Sequence, residues 1–207
     1  MKRLYWGLLF IPLLITGGVA VSDFRSSFLV SGKPHLSTLG YLSEDRSDQW
    51  RGMVRQTALA NGDTHIDVIG WGSGDPYTGR IDGVTPAWRS RLQGLSDNGL
   101  TPIMWMRSDD SPDLDALPIT EKIEYYNNVI DNVDDLVSHY VVCLECDEYA
   151  SAPEVNVLIQ YMRKKTDKPI AVHLTPGLRG KEKYVQNADV IYLQTGFGLT
   201  EAEFRAE

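Results

Sequence analysis

Six apolar, strand-like runs alternate with helix-like stretches along this chain, and that alternation limits its fold more than any other feature. Phe28-Leu29-Val30, the turn Ser31-Gly32-Lys33-Pro34 and residues 35–42 read as a hairpin leading into a first core strand. Residues 47–61 place Trp50, Met53, Val54, Thr57 and Ala58 at helical spacing and stop at Asn61-Gly62. The strand H-I-D-V-I-G-W (65–71) and a Gly-rich loop (72–83) follow. Thr85-Pro86 then opens a helix that ends at Asn98-Gly99. Strand 100–106 leads to Arg107 and the acidic loop 109–115. In residues 119–138, Ile123, Tyr126, Val129, Ile130, Val133 and Val137 form the apolar stripe of a long helix. After a strand beginning at Tyr140, Ala152-Pro153 opens a helix ending in Arg163-Lys164-Lys165, charges that complement the helix dipole. Strand 169–173, a short helix over 178–187, strand 189–193, and a helix from Thr200 complete the pattern.

Alternation of this kind gives an α/β fold with a parallel sheet and right-handed crossovers. No Gly-x-Gly-x-x-Gly follows the first strand and no phosphate loop is present, which disfavours a nucleotide-binding open sheet. A (β/α) TIM-type barrel is the expectation. A closed barrel has eight strands, so six units leave about two, or about sixty residues, outstanding. The expected form is therefore a partial or truncated barrel spanning residues 22–207 as one domain.

Residues 1–21 are set apart. Met1-Lys2-Arg3 is basic, residues 4–21 are almost wholly apolar, and Gly18-Val19-Ala20 offers small residues for cleavage. The segment reads as a secretory signal peptide, with an uncleaved anchor as the alternative. The expected location is secreted or periplasmic, or membrane-anchored by the same segment, with no other membrane contact. The net charge is −8 and the basic residues are scattered, which excludes a nucleic-acid partner bound through phosphates. An acidic chain with 10 Tyr and 5 Trp suits a neutral polar ligand such as a sugar.

Chemistry concentrates in Y-V-V-C-L-E-C-D-E-Y (140–149). An apolar run suited to a strand buried on both faces ends in Glu145, Asp147 and Glu148. Acids at the carboxyl end of a parallel strand lie on the edge where α/β folds usually place their sites. Crowding predicts that one of them keeps its proton near neutral pH. Strand alternation would point Val141, Cys143, Glu145 and Asp147 inward, with Glu148 opposite unless the strand breaks at Asp147. Cys143 and Cys146, three apart on a strand, would point to opposite faces, so the expectation is two small buried residues and no bridge.

Other strand ends add Trp71, Trp105, Arg107, the Asp109-Asp110 loop, His173 and Gln194. Glycoside cleavage needs one carboxylic acid to protonate the leaving oxygen and a second carboxylate to attack or to activate water. Tryptophans stack on sugar rings, while Arg, His and Gln bond hydroxyls. Core packing for the tryptophans, a barrel hydrogen bond for His173 and simple solvation for the acidic loop are the structural alternatives.

These strand ends resemble those of the apiosidase-like, cellulase-type glycoside hydrolases, which are (β/α)8 barrels. Residues 28–34 (F-L-V-S-G-K-P) resemble the family's opening hairpin, and 99–105 (G-L-T-P-I-M-W) its third strand. Val172-His173 and Gln194-Thr195-Gly196 resemble later strand ends. The resemblance implies a catalytic acid after the fourth barrel strand, a position that matches residues 145–148. It also implies a second carboxylate on a seventh barrel strand, beyond the six units read here, and Phe197 stands where the family has His.

The expected function is an exported glycoside hydrolase acting on a poly- or oligosaccharide. Glu145, Glu148 and Asp147 are the candidate catalytic carboxylates, and Trp71, Trp105, Arg107, His173 and Gln194 the substrate-binding set. No cofactor is expected, and the oligomeric state is left open. The alternative is a non-catalytic carbohydrate-binding or assembly protein on a partial barrel. A third reading, a metal-dependent hydrolase built on His173, Asp147 and Glu148, lacks ligand spacing.

Overall fold

The computed structural model describes residues 25–30, 33–39, 48–60, 62–69, 86–108, 111–176 and 179–194. Trp71, the Gly-rich loop, Asp109-Asp110, residues 1–21, and Thr195 through the expected C-terminal helix lie outside the described residues.

Within the described residues a seven-stranded sheet runs in sequence order: β1 (Arg25–Val30), β2 (Lys33–Leu39), β3 (His65–Ile69), β4 (Thr101–Trp105), β5 (Tyr140–Val141), β6 (Ile170–Leu174) and β7 (Val190–Leu193). β1 pairs antiparallel with β2, in register Phe28↔His35, as a hairpin should. Every later pair, from β2–β3 to β6–β7, is parallel. The strand order never reverses. An open doubly wound sheet reverses at its switch point, so this winding is of the barrel kind.

Helices α1 (Asp48–Ala60), α2 (Pro86–Ser96), α4 (Ile119–Val133) and α6 (Ala152–Met162) supply crossovers. Gly99, at φ 82, takes the left-handed position that turns the chain from α2 into β4. α6 starts at Ser151, whose hydroxyl accepts from the Glu154 N–H. Two short helices not expected from the pattern, α3 (Pro112–Asp115) and α5 (Cys146–Tyr149), occupy the loops after β4 and β5. The stretch expected as a helix over 178–187 holds a single 3-10 turn, Glu182–Tyr184.

The sheet has two differently filled sides. Ile66, Val68, Met104, Val142, Ile170, Val172 and Leu174 pack toward the helices, against Leu92, Tyr125, Tyr126, Val129, Ile130, Leu158 and Ile159. On the other side Ile69, Ile103, Trp105, Val141, Ala171 and Tyr192 form a second buried cluster. This is the period-2 alternation of strands covered on both faces.

The expected pleat fails just after β5. Val142 N–H still donates to Ala171 O and Leu144 N–H to Arg107 O, but Cys143 packs with the helix-side core and Leu144 with the opposite cluster. The proposed inward set of Val141, Cys143, Glu145 and Asp147 is therefore corrected, because the ladder ends at Val141 and the chain winds into α5. The same turn overturns the expectation for the cysteines. Wound rather than extended, Cys143 and Cys146 come to a Cα–Cα distance of 5.2 Å and form a disulfide.

Candidate active site at the carboxyl edge of the sheet

The end of β4 and the chain just past β5 are fixed from the helix layer. Tyr125 and Tyr126, adjacent on α4, donate their hydroxyls to Met106 O (2.8 Å) and Val142 O (2.6 Å). Satisfied in this way, those carbonyls no longer need a neighbouring strand, and the chain is free to turn. Burial pushes the Tyr126 hydroxyl pKa up, so it remains a donor.

Past Leu144 the main chain enters an uncommon conformation. Glu145 has φ 46 and ψ 52, and among the described residues it is the one non-glycine residue with positive φ. Its N–H donates to His173 Nδ1 at 2.8 Å. That bond fixes the tautomer: Nδ1 is the acceptor, so the neutral ring carries its proton on Nε2. His173 is buried, and its pKa falls to about 4 because desolvation outweighs the opposing pull of Asp147.

Asp147, two residues on, is in a different situation. Its carboxylate accepts from Thr175 N–H (2.9 Å) and Thr175 Oγ1 (2.6 Å) and pairs with Lys181 Nζ (2.6 Å). Burial alone would raise its pKa, but the Lys181 and Thr175 hydrogen bonds win and hold it below the ordinary carboxylate value. Of the three acids among which crowding was expected to leave one protonated, Asp147 is therefore an ionised one. The residue ties α5 to the end of β6. Glu148 is exposed on α5.

The remaining candidates fall into two groups. Trp105 and His173 meet on the sheet side away from the helices, ring centroids 5.3 Å apart. Trp105 is buried and its ring N–H donates to Asp67 Oδ1 at 2.6 Å, so it forms the wall beneath the edge and not an open platform. Its other neighbour is Tyr192, at 5.8 Å, whose hydroxyl bonds His139 Nε2 at 2.7 Å. Gln194, just past β7, has its side-chain Oε1 buried without a hydrogen-bond partner among the described residues. Arg107 turns elsewhere: 2 % exposed, it pairs with Asp115 (2.5 Å) and donates to Tyr149 O (3.0 Å), binding α3 and α5 to β4. Burial raises the Asp115 pKa against the pull of that arginine.

Asp67, His139, Tyr192, Thr175 and Lys181 were not singled out from sequence. Asp67 carried a usable signal, since an acid inside the buried run H-I-D-V-I needs a partner as much as Glu145 does. Thr175 and Lys181 carried none.

A metal site on His173, Asp147 and Glu148 conflicts with this geometry. His173 Nδ1 is occupied by the Glu145 N–H, and the Asp147 carboxylate is taken by Lys181 and Thr175. No cluster of metal-ligating residues occurs among the described residues.

No protein family and no curated protein matches the sequence. Solved structures do. A β-1,4-mannanase of glycoside hydrolase family 113 superposes with a TM-score of 0.52 at 13 % identity, covering 76 % of this chain and 60 % of its own. A family 2 glycosyl hydrolase from Bacteroides cellulosilyticus DSM 14838 gives 0.51 at 11 % identity, covering 83 % of this chain and 27 % of its own. The chain thus spans about three fifths of the one and about a quarter of the other. At such identity the likeness carries the fold alone, an α/β fold of the TIM-barrel type.

Proposed function

We propose that this chain is an exported glycoside hydrolase domain, residues 22–207 following a signal peptide or anchor at 1–21, that acts on a poly- or oligosaccharide. Glu145 is the candidate general acid and Glu148 the alternative. Gln194 would meet the sugar, with Trp105 and His173 packed beneath the same edge, and Trp71 is a further candidate for the sugar by its place in the sequence. The apiosidase-like, cellulase-type family is the narrower form of this reading. The observation that carries it is the strained main chain of Glu145 at the carboxyl edge of β5. Backbone held at positive φ concentrates at functional sites, where surrounding structure must over-determine it. The fold-level neighbours agree with a glycosidase scaffold.

A second reading, a non-catalytic carbohydrate-binding or assembly protein, is favoured by one feature. Two of the acids described at this edge are already engaged, Asp147 by Lys181 and Asp115 by Arg107. Hydrolysis requires a second available carboxylate.

One experiment separates the readings. The purified chain is assayed against a broad glycan panel for products and, in parallel, for binding by calorimetry. Cleavage that falls roughly 100-fold or more in Glu145→Gln, or failing that in Glu148→Gln, supports the enzyme. Binding without products supports the second reading. Cleavage that both variants retain removes these residues from the mechanism.

A further inference from the structure

We propose that His173 and the Cys143–Cys146 disulfide are positioning groups for Glu145, so that the placement of this carboxylate depends on a distant imidazole and on the oxidation of the two cysteines around it. What Glu145 does rests on the reading above; how it is held does not.

Glu145 lies inside the ring closed by the disulfide, whose cysteines are separated by 3 in sequence. A residue with a Cβ avoids φ 46 unless held there. The Glu145 carbonyl accepts the Glu148 and Tyr149 N–H groups at the start of α5, and two further constraints hold the residue. Both cysteines are buried in the helix-side core, which fixes the chain before and after Glu145. From the other side of the sheet His173 Nδ1, 28 residues away, accepts the Glu145 N–H. His173 is itself backed by the Trp105 ring at 5.3 Å. The Cα–Cβ direction of Glu145 follows from its φ and ψ, so releasing either constraint lets the residue return to ordinary backbone space and swings its carboxylate.

The imidazole can accept only while Nδ1 is unprotonated, and burial keeps it neutral down to about pH 4. The charged group facing it is Asp147, which would favour protonation and is itself neutralised by Lys181. Trp105 adds no charge. Reduction by a dithiol proceeds by thiol–disulfide exchange: two electrons and two protons pass to the two sulfurs, the S–S bond becomes two thiols, and the reductant closes to its own disulfide.

Hydrogen exchange of the Glu145 amide in the full chain tests this directly. The proteins compared are wild type, wild type with dithiothreitol, Cys143→Ala/Cys146→Ala, His173→Leu and His173→Asn. Exchange at Glu145 is expected to rise about tenfold or more in the alanine pair and in His173→Leu, while the Val172 amide in β6 stays protected. His173→Asn should recover most of the protection, because its Oδ1 stands near the position of Nδ1. Unchanged Glu145 exchange in folded alanine-pair and His173→Leu proteins overturns the proposal. If the alanine pair does not fold, the two His173 variants decide alone. Where wild type cleaves a glycan, His173→Leu should lower kcat about tenfold with KM within roughly threefold. A wild type that neither binds nor cleaves glycans ends the functional reading and leaves the exchange result standing.

Discussion

On the helix side of the sheet, Ile66, Val68, Met104, Val142 and Val172 meet Tyr126, Ile130, Leu158 and Ile159, and the contacts are almost wholly apolar. On the other side Asp67, Trp105, His139 and Tyr192 are also buried but joined in pairs by hydrogen bonds. The first side tolerates exchange of one hydrocarbon for another of similar volume. The second does not, because each buried polar group depends on a particular partner. The helix side therefore supplies most of the stability, and the opposite side supplies fixed geometry beneath the edge that carries Glu145.

The sharpest way to break this contrast is Ile159→Ala. Ile159 is a fully buried residue of α6, so its truncation should cost about 2–5 kcal/mol in chemical denaturation, with Glu145 amide exchange unaffected. A change in Glu145 exchange without unfolding would show that the two sides are not independent.

The next effect comes from pH. The folded pKa of His173, about 4, lies below its ordinary 6.5, so between those values the unfolded chain binds more protons than the folded one. Stability from this residue is complete above about 6.5, falls as pH drops through that window, and levels off below about 4. The full loss is about 3 kcal/mol. Denaturation curves across the window should show it in wild type and lose most of it in His173→Asn. An identical slope in both proteins would assign the effect to other groups.

A smaller effect is expected from Trp105→Phe. The smaller phenyl ring removes the indole donor to Asp67 Oδ1 together with some buried volume, and the lost bond should account for about 1–3 kcal/mol of the cost. A neutral result would mean that the Asp67 bond contributes little and that the second side behaves as an ordinary apolar core.

Some of this was legible in the residues. The strands and long helices follow from local spacing: Tyr126, Val129, Ile130 and Val133 of the stripe lie on the buried face of α4, with Ile123 half-buried beside them, and V-I-Y-L becomes β7. The edge that holds the acids was legible as well, since a buried run that stops in carboxylates marks a strand end. The continuation was not. Alternation assumed that the strand persists, whereas Tyr125 and Tyr126 take the carbonyls of Met106 and Val142 and the chain winds up instead. That turn brought the cysteines together and gave Glu145 its positive φ.

Glu145 and Asp147 show where local information ends. Both are acids on one short segment, and sequence treats them alike. Thr175 and Lys181, which follow β6 in the chain, hold Asp147 ionised, and His173 within β6 takes the Glu145 N–H. Sequence by itself determined the order of strands and helices, because hydrophobic period and turn chemistry act over a few residues. Only the tertiary structure decided which carboxylate is an anchor and which is held in a strained turn, because hydrogen bonds and charge pairing act over a few ångströms between residues far apart in the chain.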